Sequence, residues 1–245
     1  MADVSTAAKT SNERLAILEG MLLVAADFVR EEPTESRLRE LAACGLFDEV
    51  PEGFEDKALL HGFSLLREGI ADACAEHNGD TVAALQREWL RLLAGVGQPQ
   101  VPNWANFYLD PESRVLGRET LAVRNLYAKY GVQIAGKGSE PDDDLGLMLR
   151  FAAHLVKLEA EGQDTQVDQA TLLQEHVLPW ICAWRYAGLK HATSAYYRGV
   201  IEFAFGLIRL YAANLGFSYK EDTCSFSRRS AALLPARMWL ALSSR

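Results

Sequence analysis

The sequence predicts an all-α fold, one domain of about eight to ten helices around a single core. Apolar residues return every three or four positions through most of the chain. No stretch alternates apolar with polar residues as a half-buried strand would, and no linker or internal repeat divides the chain. At 245 residues, 49% of them hydrophobic, the chain can bury a sizeable core without covalent staples.

The first helix is predicted over residues 12–30, where Leu15, Leu18, Leu22, Ala26 and Phe28 share one face behind Ser11 or Asn12 as cap. Pro33 and Thr34 stop it, and a short second helix runs from Ser36 to Ala43 before Gly45. Residues 46–54, with Pro51 and Gly53, read as loop. A third helix spans 55–77, with Leu59, Leu60, Phe63, Leu66, Ile70, Ala73 and Cys74 inward and Asn78-Gly79 as its end. Asp80 then caps a fourth that runs to Ala94 with Val82, Leu85, Trp89, Leu92 and Leu93 on one side.

Residues 95–109 lose the helical period and hold two glycines, two prolines and three aromatics. An irregular segment of that kind in a compact domain is usually packed and often functional. Helix signals return over 116–130, ended by Gly131. Residues 131–139, with Gly136 and Gly138, are read as a flexible lead into the next element. Residues 141–162 are predicted helical from Pro141 onward, with Leu145, Leu149, Phe151, Leu155 and Val156 available to the core. The helical run 167–177 is broken at Leu178-Pro179-Trp180, and helices over 181–189 and 194–215 complete the body.

The stretch Glu140-Pro141-Asp142-Asp143-Asp144 carries more charge than a helix start needs. One or two acidic side chains satisfy the free N-H groups and the positive end of the dipole. The surplus is read as a docking point for something basic. Neutralising Asp143 and Asp144 together is then expected to cost no more than a lost cap, about 1 kcal/mol.

The net charge of -8, with no basic stripe, argues against nucleic acid as a partner and for a basic one. The longest apolar run, 196–215, contains Arg198, Glu202 and Arg209 and so reads as a core helix, with no stable membrane insertion. The N-terminus lacks a basic region followed by an apolar core, which predicts a cytoplasmic protein. Cys44, Cys74, Cys182 and Cys224 are far apart and are expected to be reduced, mostly buried thiols. No metal-binding, nucleophilic or phosphate-binding motif is present, so neither a catalytic residue nor a cofactor is expected. His61, His77, His154, His176 and His191 lack partners of the kind catalysis needs.

Residues 225–245 stand apart as a C-terminal tail or helix, an Arg228-Arg229 pair ahead of an apolar run. The plain reading is an amphipathic helix with basic ends. The alternative is a segment that mimics a ligand and occupies the protein's own groove.

The succession Trp89-Leu-Arg-Leu-Leu, the loop Pro102-Asn-Trp104-Ala-Asn-Phe-Tyr108-Leu-Asp110, the run Leu116-Gly117-Arg-Glu-Thr and the segment Glu140-Pro-Asp-Asp-Asp-Leu-Gly146 together resemble the TorD/DmsD/NarJ family, its DmsD branch most nearly. The likeness covers roughly residues 85–215. It implies a TorD-like helical bundle that binds the twin-arginine signal peptide of a molybdenum-containing reductase of the DMSO-reductase type. Such a chaperone delays export until the cofactor is inserted, and contact with the translocase or the insertion machinery is implied as well. Trp89, Trp104, Tyr108, Asp110, Gly117, Glu140, Pro141 and Asp143 fall on the family's leader-binding positions. Two departures stand out: Asp144 replaces the family's usual histidine, and Gly97 replaces an aromatic residue.

The chemistry suits that role. Carboxylates accept bidentate bonds from arginine, and Asp142, Asp143, Asp144 and Glu140 would supply them. Trp89, Trp104 and Tyr108 are expected to line an apolar groove alongside, where aromatic faces add about 0.5–2 kcal/mol per arginine; Phe107 is assigned to the core. Two other readings are weighed. A chaperone of a leaderless molybdoenzyme subunit, as in the NarJ branch, fits the same motifs. A magnesium-dependent isoprenoid-synthase-like enzyme fits poorly, because three consecutive aspartates point in three directions.

Overall fold

The computed structural model describes residues 2–75, 79–95, 99–110, 117–134 and 141–219. Glu140, Gly97, Asn78, Cys224 and the tail 225–245 lie outside the described residues, and so do the expectations attached to them.

Among the described residues the protein is helical throughout, with ten α-helices, in line with the all-α expectation. In order they are α1 (Ala2–Arg30), α2 (Glu35–Ala43), α3 (Lys57–Cys74), α4 (Gly79–Trp89), α5 (Ala105–Leu109), α6 (Arg118–Lys129), α7 (Leu145–Ala160), α8 (Gln166–Thr171), α9 (Ile181–His191) and α10 (Ala195–Asn214). α4 and α8 each continue into a π-helical turn, Leu90–Ala94 and Leu172–Val177.

Four of the ten starts follow from side-chain capping. Thr34 accepts from the Arg37 N-H, Asp56 from Ala58 and Leu59, and Ser194 from Tyr197, so α2, α3 and α10 begin where a short polar side chain precedes an apolar face. α1 departs from the expected start. It runs through Ser11 and Asn12, which carry no cap role, and extends back to Ala2.

The centre is built by α10, buried along most of its length, lying against α3. Glycines set that spacing. A Cβ on Gly69 would come within 2.5 Å of the Tyr196 backbone N and one on Gly199 within 2.8 Å of the Leu66 N, while Gly62 and Gly206 face the backbones of Phe203 and Leu59. The two helices therefore meet main chain to main chain. Around the seam Phe28, Phe47, Phe63 and Phe203 interlock, three pairs edge to face and two tilted, with centroids 5.2–6.2 Å apart.

α1 packs along α7 on the other side. The apolar run 196–215 is a core helix, as its charges predicted: Glu202, 3% exposed, takes both donors of Arg185 at 3.0 Å. No described helix is long and apolar enough to cross a membrane. The cysteine expectation is corrected at one position: Cys182 is disulfide-bonded, whereas Cys44 and Cys74 are free. Cys44 is exposed and Cys74 partly so.

Candidate functional site

The two stretches that the sequence singles out meet in space. Trp104 and Asp144 form an isolated antiparallel bridge, closed by the Ala105 N-H to Asp143 O at 3.0 Å and the Leu145 N-H to Asn103 O at 2.6 Å. These bonds flank the pair rather than join it. That is the closely spaced kind of antiparallel pairing, in which the two side chains project to the same side.

Asp143 holds the junction together from inside. Its carboxylate is fully buried and accepts the Asn106 N-H at 2.8 Å and the Thr120 hydroxyl at 2.7 Å. Thr120 Oγ1 in turn accepts the Asn106 side-chain amide at 2.7 Å and the Gly117 N-H at 3.3 Å. Gly117 fits because a Cβ there would sit 2.7 Å from Asn106 Oδ1. Four residues from three segments thus form one closed polar network. Burial pushes the Asp143 carboxyl up to about 6, against the hydrogen bonds from Thr120 and Asn106 that pull it down; the neighbouring charge of Asp144 adds to the rise.

The flanking aspartates already hold arginines of the chain itself. Asp142 accepts Arg124 through Nε at 3.0 Å and Nη2 at 2.5 Å, and its main-chain carbonyl accepts the Tyr127 hydroxyl at 3.0 Å. Asp144 caps α7 by accepting the Leu147 N-H at 3.2 Å and pairs with Arg30 at 3.0 Å. Gly146 leaves no room for a Cβ beside the Arg30 side chain, which fixes α1 against the start of α7.

Two expectations change here. Pro141 is not the first helical residue: residues 141–144 form a turn, and the helix starts at Leu145 with Asp144 as cap. Nor do the aspartates present an open acidic surface. Asp142 is 6% and Asp143 0% exposed, and Asp143 is a junction rather than a spare cap, so its loss involves more than a capping bond.

The aromatic loop is anchored at both ends. The Gln100 and Val101 N-H groups bond the Arg91 and Leu92 carbonyls of the first π-helical turn, at 3.1 and 2.8 Å. A π turn leaves carbonyls free of the regular ladder, and here two of them receive the loop. Further along, Trp184 Nε1 donates to Asn103 Oδ1 at 2.9 Å, and the Tyr108 hydroxyl donates to the Pro102 carbonyl at 2.9 Å. Tyr108 stacks on Trp180 at 4.9 Å, just beyond the second π turn, and is fully buried. It belongs to the core, not to a groove wall, and burial raises its hydroxyl well above the ordinary range. Phe107 is buried, as expected.

Trp89 and Trp104 are partly exposed, and the indole N-H of each is buried without a hydrogen-bond partner. A donor in that state costs free energy unless something supplies an acceptor. Asp110 and Gly117 are also partly exposed; the Asp110 N-H closes α5 on the Asn106 carbonyl at 3.0 Å. Of the sequence-derived set, Trp104, Gly117, Pro141, Asp142, Asp143 and Asp144 come together around the bridge and its network. Tyr108 turns inward, and Trp89 lies on α4 just before the π turn that anchors the loop. Asn106, Thr120, Arg124 and Arg30 complete the junction and were not anticipated. The one available signal was that Asn106 and Thr120 lie inside the two motifs, between the residues already marked.

No group of three or more His, Cys, Asp or Glu side chains suited to a metal ion occurs among the described residues. The histidine with a polar partner in this region, His176, faces Glu119 at 3.2 Å and is buried.

Comparison with known proteins agrees with the motifs. Residues 56–185 match the family described as nitrate reductase delta subunit. The chain is 29% identical over 137 residues to the Tat proofreading chaperone DmsD of Salmonella typhi and 28% identical over the same length to that of Salmonella typhimurium. Each match covers 56% of this chain and 65% of the relative. The probable Tat proofreading chaperone DmsD of Haemophilus influenzae is 31% identical over 96 residues, 39% of this chain and 44% of that protein. The chain thus spans less than two thirds of the length of these relatives. Since the family match runs through α3 to α9 and contains the bridge, both π turns and the Asp143 network, the chain belongs to the nitrate reductase delta subunit family, the TorD/DmsD/NarJ group that its motifs resemble.

Proposed function

We propose that the protein is a cytoplasmic maturation chaperone, not an enzyme, which binds the twin-arginine leader of a molybdenum-containing reductase and delays its export until cofactor insertion. The observation that carries this reading is the bridge: it sets the partly exposed Trp104, with its unpaired indole N-H, on the same side as Asp144. Family membership and the names of the relatives support it.

In this reading the aspartates have distinct roles. Asp143 positions the loop and does not touch the leader. Asp142 offers the exchangeable site, because its partner Arg124 has a side chain 48% exposed while Asp142 itself is nearly covered. An incoming guanidinium that replaces Arg124 exchanges like for like, so the free-energy change of the swap is small and direction comes from the apolar segment that follows. Trp104 receives that segment and donates its N-H to a leader carbonyl.

Titration calorimetry with a panel of synthetic leaders tests this. Trp104→Ala is expected to weaken binding about tenfold or more in a protein that still folds, since the ring is partly exposed. Unchanged affinity in a folded Trp104→Ala protein removes the site. The family's description as nitrate reductase delta subunit favours one second reading, a chaperone of a leaderless subunit as in the NarJ branch. Purification from the native host under anaerobic respiration separates the two: a precursor with its leader supports the first, a subunit without one the second.

A further inference from the structure

The chain has four cysteines, at positions 44, 74, 182 and 224. Cys44 and Cys74 are free, whereas Cys182 is disulfide-bonded. Within one chain that leaves Cys224, which lies outside the described residues, as the other half of the bond. Leader binding makes no use of such a cross-link.

The end of the described chain doubles back toward α9. α10 stops at Asn214, and Gly216, at φ 85°, turns the backbone. The Gly216 N-H donates to the Ala213 carbonyl at 3.0 Å and the Phe217 N-H to the Ala212 carbonyl at 2.9 Å, which closes the helix end. The turn carries Tyr219 back onto Phe205, edge to face with centroids 5.7 Å apart. The Arg185 guanidinium of α9 lies 4.5 Å from the centroid of the same Phe205 ring. Cys182, partly exposed, stands three residues before Arg185 and so shares its face of α9. Cys224 follows Tyr219 by five residues, which fully extended span at most about 18 Å. Tyr219, Phe205, Arg185 and Cys182 thus mark a short path from the end of α10 to the bonded sulfur.

We propose that Cys182 and Cys224 form a reversible disulfide that staples the chain beyond α10 to α9. Closing it removes two electrons and two protons from the two thiols and passes them to a disulfide oxidant. Opening it returns them from a dithiol: one thiolate attacks a sulfur of the bond, and the second thiol resolves the mixed disulfide. Such a bond persists in oxidising surroundings and opens in reducing ones, so the staple responds to the redox state around the protein. It joins residues 42 apart in sequence, a span over which closure strongly restricts the unfolded chain. Cys182 is two residues, about 200° around the helix, from Trp184, which holds the aromatic loop through Asn103. The staple therefore stands apart from the leader-binding reading.

The test reduces the full chain with dithiothreitol and re-equilibrates it in glutathione buffers of rising disulfide content, followed by acid quenching, alkylation and peptide mapping. In the oxidised buffers Cys44 and Cys74 are expected to stay open to alkylation, with one cross-linked peptide pair that contains Cys182 and Cys224; dithiothreitol restores all four thiols. Amides of 216–219 are expected to exchange about tenfold or more slowly in the oxidised protein than in the reduced one. Its melting temperature should be higher by about 5 °C or more. Cys224→Ser is expected to show the reduced behaviour in both buffers, and Cys44→Ser/Cys74→Ser to keep the response. Four open thiols at every buffer ratio overturn the proposal, and so does a bond from Cys182 to Cys44, to Cys74, to glutathione alone or to a second copy of the chain. Exchange and melting that are alike in the cross-linked and reduced forms overturn the staple.

Discussion

Asp143→Asn should change the way stability depends on pH. The carboxyl is fully buried and its pKa is raised from 3.8 to about 6, first by burial. Between those values the folded protein binds a proton that the unfolded chain has released. The stabilisation from this group is therefore fully present below pH 3.8 and is lost as pH rises through about 6. A gap of roughly two units corresponds to about 3 kcal/mol in total, of which about 2 kcal/mol falls between pH 4.5 and 7.5. Asparagine keeps the size and one acceptor but does not titrate. Urea unfolding of both proteins at the two pH values isolates the effect: relative to the variant, wild type should be about 2 kcal/mol more stable at pH 4.5 than at pH 7.5. A difference between the proteins that is the same at both pH values, or that grows with pH, would refute the account of Asp143 as a buried, proton-retaining junction.

Other perturbations probe other parts of the frame. Gly206→Ala drives a Cβ into the Leu59 backbone and is expected to cost about 2 kcal/mol or more by thermal or urea unfolding, as overpacking does; a loss within about 0.5 kcal/mol would mean that α3 and α10 can separate freely. Gly117→Ala pushes on the Asn106 side chain and should cost about 1–3 kcal/mol, with the aromatic loop losing hydrogen-exchange protection first. Glu88, 7% exposed, accepts the Thr193 N-H and hydroxyl at 2.5 and 2.9 Å and the Ser194 N-H at 3.3 Å, just before α10 begins. Glu88→Ala leaves those donors without an acceptor and is expected to cost about 2 kcal/mol, read as a shift in the urea midpoint at constant slope.

Much of the fold was legible in the residues because helical periodicity and punctuation agree. Thr34, Gly45, Gly131 and the Leu178-Pro179 break bound elements as expected, and Leu59, Phe63, Leu66 and Ile70 face inward. Local signals misled where tertiary contacts decide. A proline followed by acids looks like a helix start, yet the pairing of residue 144 with residue 104 holds 141–144 in a turn. The π turns leave no mark in composition, and the loop that the first of them receives is distant from any local signal. For the site, sequence found the two segments and their kinship but not their inner order. Charge density suggests exposure, and nothing local to Asp143 announces that Asn106 and Thr120 will enclose it. Arg30 and Arg124, the partners that neutralise the acidic turn, lie 114 and 18 residues from the aspartates they hold.

The glycine seam between α3 and α10 carries one more implication. Helices kept apart by side chains can slide or re-space by trading rotamers, whereas two main chains in direct touch have no such compliant layer. That pair is therefore the stationary reference of the molecule. Whatever rearrangement a guest provokes must take place in the loop, the turn and the outer helices hung upon it.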